Sequence, residues 1–244
     1  MAETLAPQPA AAAPKGLLAR AIGIPTAPRA TYASVSARPR ALGALLLILT
    51  IAATATLVFL KTEVGQQAAL DQQIQQAQAF GRQMTADQQA QMERFLPYFG
   101  YIGAASQVVS ITLISLLIAG VALAVFNAML GGDATFKHVF AVVVHSGFII
   151  TLQQLFVLPL DYVRESLTSP TNLAVFLPFL EDNTFAGRLL GSIDLFLMWW
   201  AVSLAIGLGV LYKRRTGPIA AGILIIYFVL ALVIAAVRTA LAGV

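Results

Sequence analysis

The chain has 244 residues, of which 59% are hydrophobic and only 11% charged, with a formal net charge of +4 and a mean hydropathy of +0.82. Soluble globular domains carry roughly 25% charged residues, so this composition excludes an ordinary soluble enzyme and predicts that lipid solvates much of the chain. The absence of cysteine excludes disulfides, thiolate metal sites, iron–sulfur clusters and a cysteine nucleophile.

Residues 1–40 are predicted to be a polar tail that precedes the membrane domain. The first fifteen residues are an Ala/Pro-rich segment of low complexity, which has no reason to fold. The next residues combine Arg20 with apolar side chains in a pattern typical of a short amphipathic helix on a membrane surface, at Leu17, Leu18, Ile22 and Ile24. Pro25, Pro28 and Pro39 argue against a long helix here.

Residues 41–60 contain no charged side chain and are long enough to cross the hydrocarbon core. A secretory signal peptide is the alternative, because residues 53–55 resemble a cleavage site. However, a leader of forty residues is too long, and the apolar run continues beyond residue 55. The sequence therefore predicts a first transmembrane helix.

Residues 61–100 are polar and rich in glutamine, and we expect them to form a helical hairpin outside the membrane. Apolar residues recur at mostly helical spacing between Val64 and Met84, which predicts an amphipathic helix. Thr85 and Gln88 fit a capping box that begins a second short helix, ending at about Leu96.

Four further apolar stretches are predicted to be spans, at about 102–129, 139–160, 189–212 and 218–241. The connection 130–138 is short and turn-like, whereas the connection 161–188 is longer and contains two prolines. The predicted fold class is an all-α polytopic membrane bundle, in which residues 41–244 form five transmembrane helices.

The distribution of basic residues predicts that the N-terminus is cytoplasmic and the C-terminus outside. With five spans the termini lie on opposite sides, and this orientation places nine of the fifteen basic residues inside. These nine are Lys15, Arg20, Arg29, Arg38, Arg40, Lys137, Lys213, Arg214 and Arg215. The connection 213–215 is almost entirely basic, whereas the outer segments are long and mixed in charge.

Three groups of short motifs, within roughly residues 25–240, are shared with a known family. They are PRATY at 28–32 with Pro39, FNA at 126–128 with GG at 131–132 and TFK at 135–137, and GSIDLF at 191–196 with WW at 199–200 and GLG at 207–209. This pattern resembles the Yip membrane-protein family (Ypt/Rab-interacting proteins), specifically its bacterial branch.

The resemblance implies an architecture and a non-enzymatic class, and it supplies no catalytic residue. Eukaryotic members of the family have five spans and a long cytoplasmic N-terminal region, and they act in vesicle trafficking with small GTPases. Those members carry an Asp-Leu-Tyr-Gly-Pro motif before the first span. The motif is absent from this chain, so a GTPase partner is doubtful, and a bacterial inner membrane is the expected location.

Asp194 and Arg238 are the charged residues within the fourth and fifth predicted spans. If the connection near residue 215 is the turn of a helical hairpin, both residues lie at similar depth near the outer face. An intramembrane charge usually has a partner, so one hypothesis is that the two side chains pair. The equally weighted alternative is that Asp194 caps the start of its helix and Arg238 extends to the interface.

His145 is the ionisable residue of the third predicted span. A place in a proton or ligand path is one interpretation, but we prefer a polar residue that faces the bundle and bonds to a neighbouring helix. His138 lies seven residues earlier, about 10 Å away along a helix, so the two rings are too far apart to bind one metal ion. No metal or other cofactor is expected.

The sequence contains no HExxH, GxSxG or phosphate-binding glycine motif, so we expect no enzymatic activity. The leading interpretation is a membrane protein that acts through protein or lipid contacts in membrane organisation or trafficking. The expected partners are membrane lipid and a protein partner or second copy, and nucleic acid is not expected. Two alternatives are an accessory subunit of a larger complex and a small transporter or channel, which would use His145, Gln153, Gln154 and Asp194.

Overall fold

The computed structural model describes residues 16–181 and 183–241, and these residues form a bundle of α-helices. In chain order the helices are α1 (Leu17–Thr26), α2 (Pro28–Ala37), α3 (Ala41–Leu60), α4 (Glu63–Ala79), α5 (Ala86–Phe95), α6 (Phe99–Leu123), α7 (Phe136–Ser146), α8 (Phe148–Arg164), α9 (Phe185–Gly191), α10 (Leu195–Leu211) and α11 (Thr216–Leu241). A π-helical turn, Ala124–Met129, extends α6, and short 3₁₀ turns cover Leu96–Tyr98 and Leu173–Phe176.

Four helical stretches in the described residues are long and apolar enough to cross a membrane. They are Ala41–Leu60, the continuous run Ala86–Met129, the run Phe136–Arg164 and Thr216–Leu241. These stretches confirm an all-helical membrane fold. Helix α10 is equally apolar but has only 17 residues, so the count of five spans stays a prediction.

The fourth predicted span, 189–212, is not a single helix. Residues 185–191 form the separate helix α9, and α10 begins only at Leu195. The break occurs because the backbone of Asp194 is extended and its carboxylate accepts hydrogen bonds from the first backbone N–H groups of α10.

The centre of the bundle is closely packed. Helix α3 contacts α6, α7 and α8, and α10 contacts α2, α7 and α11. Ala44, Ala141 and Ala205 have no exposed surface, and small residues at such contacts let the helix backbones approach closely. Gly207 lies at a close contact of this kind, because a Cβ atom there would be 2.6 Å from Val142 and 2.8 Å from Tyr32.

Helices α1 and α2, which lie within the predicted N-terminal tail 1–40, pack against this bundle. Ile24, Tyr32 and Val35 are buried, and the Tyr32 hydroxyl lies 2.9 Å from Ser203 Oγ on α10. The prolines limit both helices to short lengths, as expected, since Pro28 starts α2 and Pro25 lies in the last turn of α1. The low-complexity segment 1–15 lies outside the described residues.

The sequence pattern of α1 indicates an amphipathic helix on a membrane surface, but this helix is partly buried in the bundle. Leu18 and Ile22 are exposed, whereas Arg20 and Ile24 are buried. The Arg20 guanidinium donates to the carbonyl oxygens of Ser34 and Arg38, at 3.3 and 3.4 Å. It thereby caps the C-terminus of α2, where a cation is favoured by the helix dipole. Burial, and then the charges of Arg40 and Arg38, lower the pKa of Arg20.

Helices α4 and α5 lie between α3 and α6 in the chain. The predicted capping box is confirmed, because Gln88 N–H donates to the Thr85 hydroxyl and Thr85 N–H donates to the Gln88 side chain. Gly81, with φ of +69°, lies in the turn between the helices. The buried residues of α4 lie in its first half, and α5 has none. That these helices form a hairpin outside the membrane stays a prediction.

Candidate functional site

Three segments that the sequence analysis places on one side of the membrane meet at one end of the bundle. Arg29 donates to Thr216 at 3.5 Å, the Tyr212 hydroxyl donates to Asn127 at 2.9 Å, and Arg214 donates to the Leu130 carbonyl. We call this end the basic end, because the segments that meet there carry seven basic residues, Arg29, Arg38, Arg40, Lys137, Lys213, Arg214 and Arg215.

The connections predicted for the other side meet at the opposite end. Gln72 on α4 donates to the Leu167 carbonyl at 3.3 Å, and Arg188 on α9 donates to the Arg238 carbonyl at 3.0 Å. The connections therefore form two groups, one at each end of the bundle. Which end faces the cytoplasm stays a prediction.

A cavity of about 440 Å³ opens at the basic end. Its walls are α2, the connection that leads into α7, and the C-terminal end of α10. Ser36, Thr135, His138 and Lys213 contribute polar groups to the wall, and Asp133 contributes a carboxylate. This cavity is the candidate binding site at the charged surface of the protein.

Asp194 is the centre of a buried polar cluster at the start of α10. Its Oδ1 accepts hydrogen bonds from Gln153 Nε2 at 2.9 Å, and from the backbone N–H groups of Phe196 at 2.8 Å and Leu197 at 3.3 Å. Its Oδ2 accepts from the hydroxyls of Ser169 and Thr171, both at 2.6 Å. Five donors therefore satisfy one carboxylate that is only 5% exposed.

The Asp194 cluster joins four parts of the chain. Gln153 lies on α8, Ser169 and Thr171 lie in the connection to α9, and the hydroxyl of Tyr227 on α11 accepts from the Asp194 backbone N–H at 2.8 Å. Gln153 lies eleven residues before Arg164, about 16 Å along α8, so the connection folds back beside the helix. Buried backbone that is not helical needs hydrogen-bond partners within the protein. The Leu195 N–H accordingly donates to the Thr171 carbonyl oxygen.

The structure does not bring Asp194 and Arg238 together. Asp194 caps α10, as the alternative interpretation expects, and Arg238 is not among the donors to its carboxylate. The guanidinium of Arg238 lies over the Phe80 ring, 5.7 Å from its centre, because the end of α4 packs against the end of α11. Similar depth in two neighbouring helices does not determine which way each side chain points.

His145 faces the interior of the bundle and has no exposed surface. Its Nδ1 lies 2.7 Å from the Ala141 carbonyl oxygen of its own helix, and its ring meets Phe148 edge-on. The expected bond to a neighbouring helix is not formed. Nε2 is buried and has no hydrogen-bond partner. In the part of the chain that the structure describes, no three His, Asp or Glu side chains come together as metal ligands.

Sequence reasoning missed most partners of these residues. Gln153, Thr171 and Tyr227 are separated from Asp194 by 41, 23 and 33 positions. The usable signal was the extended Ser-Pro-Thr-Asn segment at 169–172, which brings hydroxyls and an amide to a connection beside apolar spans. That segment favours a turn, but it does not show that the turn folds back against α8.

The family model of the Yip1 domain matches residues 22–238. No curated protein and no solved structure matches the chain. The matched region begins inside α1 and ends near the C-terminus of α11, so it includes the basic end, the Asp194 cluster and His145. The chain therefore belongs to the Yip1 domain family.

Proposed function

We propose that this protein is a non-enzymatic, multi-pass protein of a bacterial inner membrane, which acts through protein or lipid contacts in membrane organisation or trafficking. Helix α10 is the remaining span, the fourth in chain order, since its 17 residues extend about 26 Å and a spanning helix needs about 17 residues or more. The basic end then faces the cytoplasm, in accord with the rule that cytoplasmic connections are rich in Lys and Arg.

The observation that carries this proposal is the packing of the interior. Of the four residues that a transporter or channel would use, Gln153, Gln154 and Asp194 are hydrogen-bonded to other protein groups, and His145 has no exposed surface. Gln153 donates to Asp194, and Gln154 donates to the Ala52 carbonyl and the Thr56 hydroxyl, both at 3.3 Å. Between the ends of the bundle, buried Ala44, Val142 and Ile149 fill the centre. A water-filled path needs polar groups that face open space, and these groups face each other.

The charge distribution supports contact with a lipid surface. Anionic lipids attract basic side chains near the membrane surface by about 1 kcal/mol each, and the basic end collects such side chains from three connections. Helices α6 and α11 lie at the periphery, and apolar residues such as Leu117, Ile225 and Ile226 are exposed on them. These faces suit lipid chains, and they also suit a protein partner or a second copy.

A pair of measurements tests the proposal. The full chain is reconstituted into lipid vesicles, and the release of entrapped ions and small fluorescent solutes is compared with that of protein-free vesicles. We expect equal release. The same protein is affinity-purified from its own membranes in a gentle detergent, and we expect lipid or a sub-stoichiometric protein to co-purify. Solute release above the control would overturn the proposal, and a stoichiometric complex would favour an accessory subunit.

A further inference from the structure

The cavity at the basic end lies at the level where two membrane helices begin and end. Thr135 precedes the first residue of α7, and Lys213 follows the end of α10. Both helices belong to the predicted membrane domain, so their ends lie near the lipid headgroups. Val210 and Leu211 make part of the wall apolar. A volume of about 440 Å³ falls within the usual range for small-molecule sites, about 300–1,000 Å³.

Unused hydrogen-bond donors surround this cavity. Ser36 Oγ is buried and has no hydrogen-bond partner. Thr135 precedes α7 but does not cap it, because its hydroxyl lies 2.7 Å from His138 Nδ1. When that hydroxyl donates to Nδ1, the imidazole carries its proton on Nε2 and presents a second donor. The first N–H groups of α7 are left without a side-chain cap, and such groups favour an anion.

The charges of the wall are unequal. Lys213 supplies an ammonium group, and its backbone has φ of +52°, which directs the chain sharply away from the end of α10. Asp133 supplies an opposing carboxylate on the same wall. A ligand therefore needs enough negative charge and enough acceptor oxygens to use the donors despite Asp133. A phosphate group has both properties.

We infer that this cavity binds the phosphate group of an anionic lipid, with Lys213, Ser36, His138 and the N-terminus of α7 as its ligands. The inference rests on the proposed function, because that proposal places the basic end at a membrane surface. The acyl chains extend along the apolar wall at Val210 and Leu211. The same phosphate chemistry occurs in soluble phosphate esters, and the experiment separates these two sources.

Native mass spectrometry of the full chain in detergent micelles measures the binding. The probes are phosphatidic acid, phosphatidylglycerol and neutral phosphatidylcholine, with glycerol 3-phosphate and inorganic phosphate as soluble competitors. We expect preferential binding of the two anionic lipids. Lys213→Gln is expected to weaken that binding about tenfold, the value of one hydrogen bond to a charged group, and Lys213→Arg is expected to retain most of it.

Lys137→Gln is the matched control, because it removes the same charge from the same end of the protein but from outside the cavity wall. We expect a change of less than about twofold, since an exposed charge contributes little. Asp133→Asn is expected to strengthen binding about threefold, because it removes the opposing charge. The bound protein's melting temperature in detergent is measured for every variant, so that a loss of folding is recognised.

Equal losses in Lys137→Gln and Lys213→Gln would overturn the inference, since they indicate diffuse attraction to the basic end. Unchanged binding in Lys213→Gln would also overturn it. If glycerol 3-phosphate binds as tightly as phosphatidic acid, the phosphate site is supported and the lipid source is wrong. The vesicle-release measurement reports separately on the proposed function, since solute release does not depend on which lipid occupies this cavity.

Discussion

Asp194 and His145 are both ionisable residues buried in the bundle, but the protein treats them in opposite ways. The carboxylate of Asp194 accepts five hydrogen bonds, whereas His145 uses one ring nitrogen and leaves the other without a partner. Asp194 lies at a break between helices, where hydroxyls and free N–H groups are available. His145 lies within α7, where the backbone groups are already paired.

This contrast shows how the fold accommodates buried polar groups. A charge in an apolar interior is costly unless it is paired and hydrogen-bonded, and the Asp194 carboxylate lies where a folded-back connection supplies partners. An imidazole can remain neutral, so a single hydrogen bond suffices. We therefore expect the hydrogen bonds of the Asp194 cluster to stabilise the fold and the hydrogen bond of His145 to contribute little to stability.

Asp194→Ala is expected to have the largest effect. It removes the acceptor for five donors, of which several stay buried, and each unsatisfied buried donor costs about 1–3 kcal/mol. Because some donors will find water, we expect a loss of about 3–5 kcal/mol in the free energy of unfolding. Unfolding of the detergent-solubilised protein by sodium dodecyl sulfate measures this loss.

Asp133→Ala is the control for Asp194→Ala, since it removes a carboxylate from an exposed position. We expect its free energy of unfolding to lie within about 0.5 kcal/mol of the unchanged protein. If Asp194→Ala were as stable as this control, the idea that the cluster stabilises the fold would be wrong.

Tyr227→Phe tests whether α11 is held by the same cluster. The Tyr227 hydroxyl accepts from the Asp194 backbone N–H at 2.8 Å and donates to the Ser192 carbonyl at 3.0 Å. The substitution keeps the ring and removes both bonds, so we expect a loss of about 1–2 kcal/mol. In the Asp194→Ala background the loss should be smaller, and a double-mutant cycle measures the coupling. Strict additivity would contradict a shared cluster.

Tyr32→Phe extends the comparison to the basic end of the bundle. The Tyr32 hydroxyl is buried beside Ser203 Oγ, and burial raises the pKa of Tyr32, so the phenol stays protonated. Loss of this bond is expected to cost about 0.6–1.7 kcal/mol. The measurement is the same unfolding titration, with proteolysis of α1 and α2 as a local readout. Ser203→Ala should give a similar loss, and a much larger one would show that packing, not the bond, matters.

The sequence predicted the elements whose signals are local. Long apolar runs gave the membrane helices, and the Thr85–Gln88 pair gave the start of α5, because span length and capping depend on neighbouring residues. The sequence does not predict the burial of α1 and α2. Tyr32 and Gly207 are in contact although 175 positions separate them in the chain, and only the packed structure shows that their surfaces fit. The Asp194 partners were missed for the same reason.

Asp194 also shows where depth along a span is insufficient evidence. Its position opposite Arg238 favoured a pair as much as a cap, because both residues lie near the outer ends of consecutive spans. The direction of each side chain decided the outcome. Asp194 turns toward α8 at the helix break, whereas Arg238 turns toward Phe80 at the end of α4. Those directions depend on contacts with α4 and α8, and such long-range contacts cannot be recognised from a local sequence pattern.

His145→Leu is expected to have the smallest effect, and it tests the contrast between Asp194 and His145 most directly. Leucine removes a buried nitrogen that has no partner and keeps an apolar side chain beside Phe148. The loss of the Nδ1 bond to Ala141 and the gain of apolar packing should nearly cancel, so we expect a change of less than about 1 kcal/mol in the free energy of unfolding. His145→Ala is the control for the lost volume, and it should cost about 2–4 kcal/mol because it leaves a cavity. If His145→Leu instead cost as much as Asp194→Ala, then Nε2 must have a partner such as a buried water molecule, and the two residues would be satisfied polar groups of the same kind.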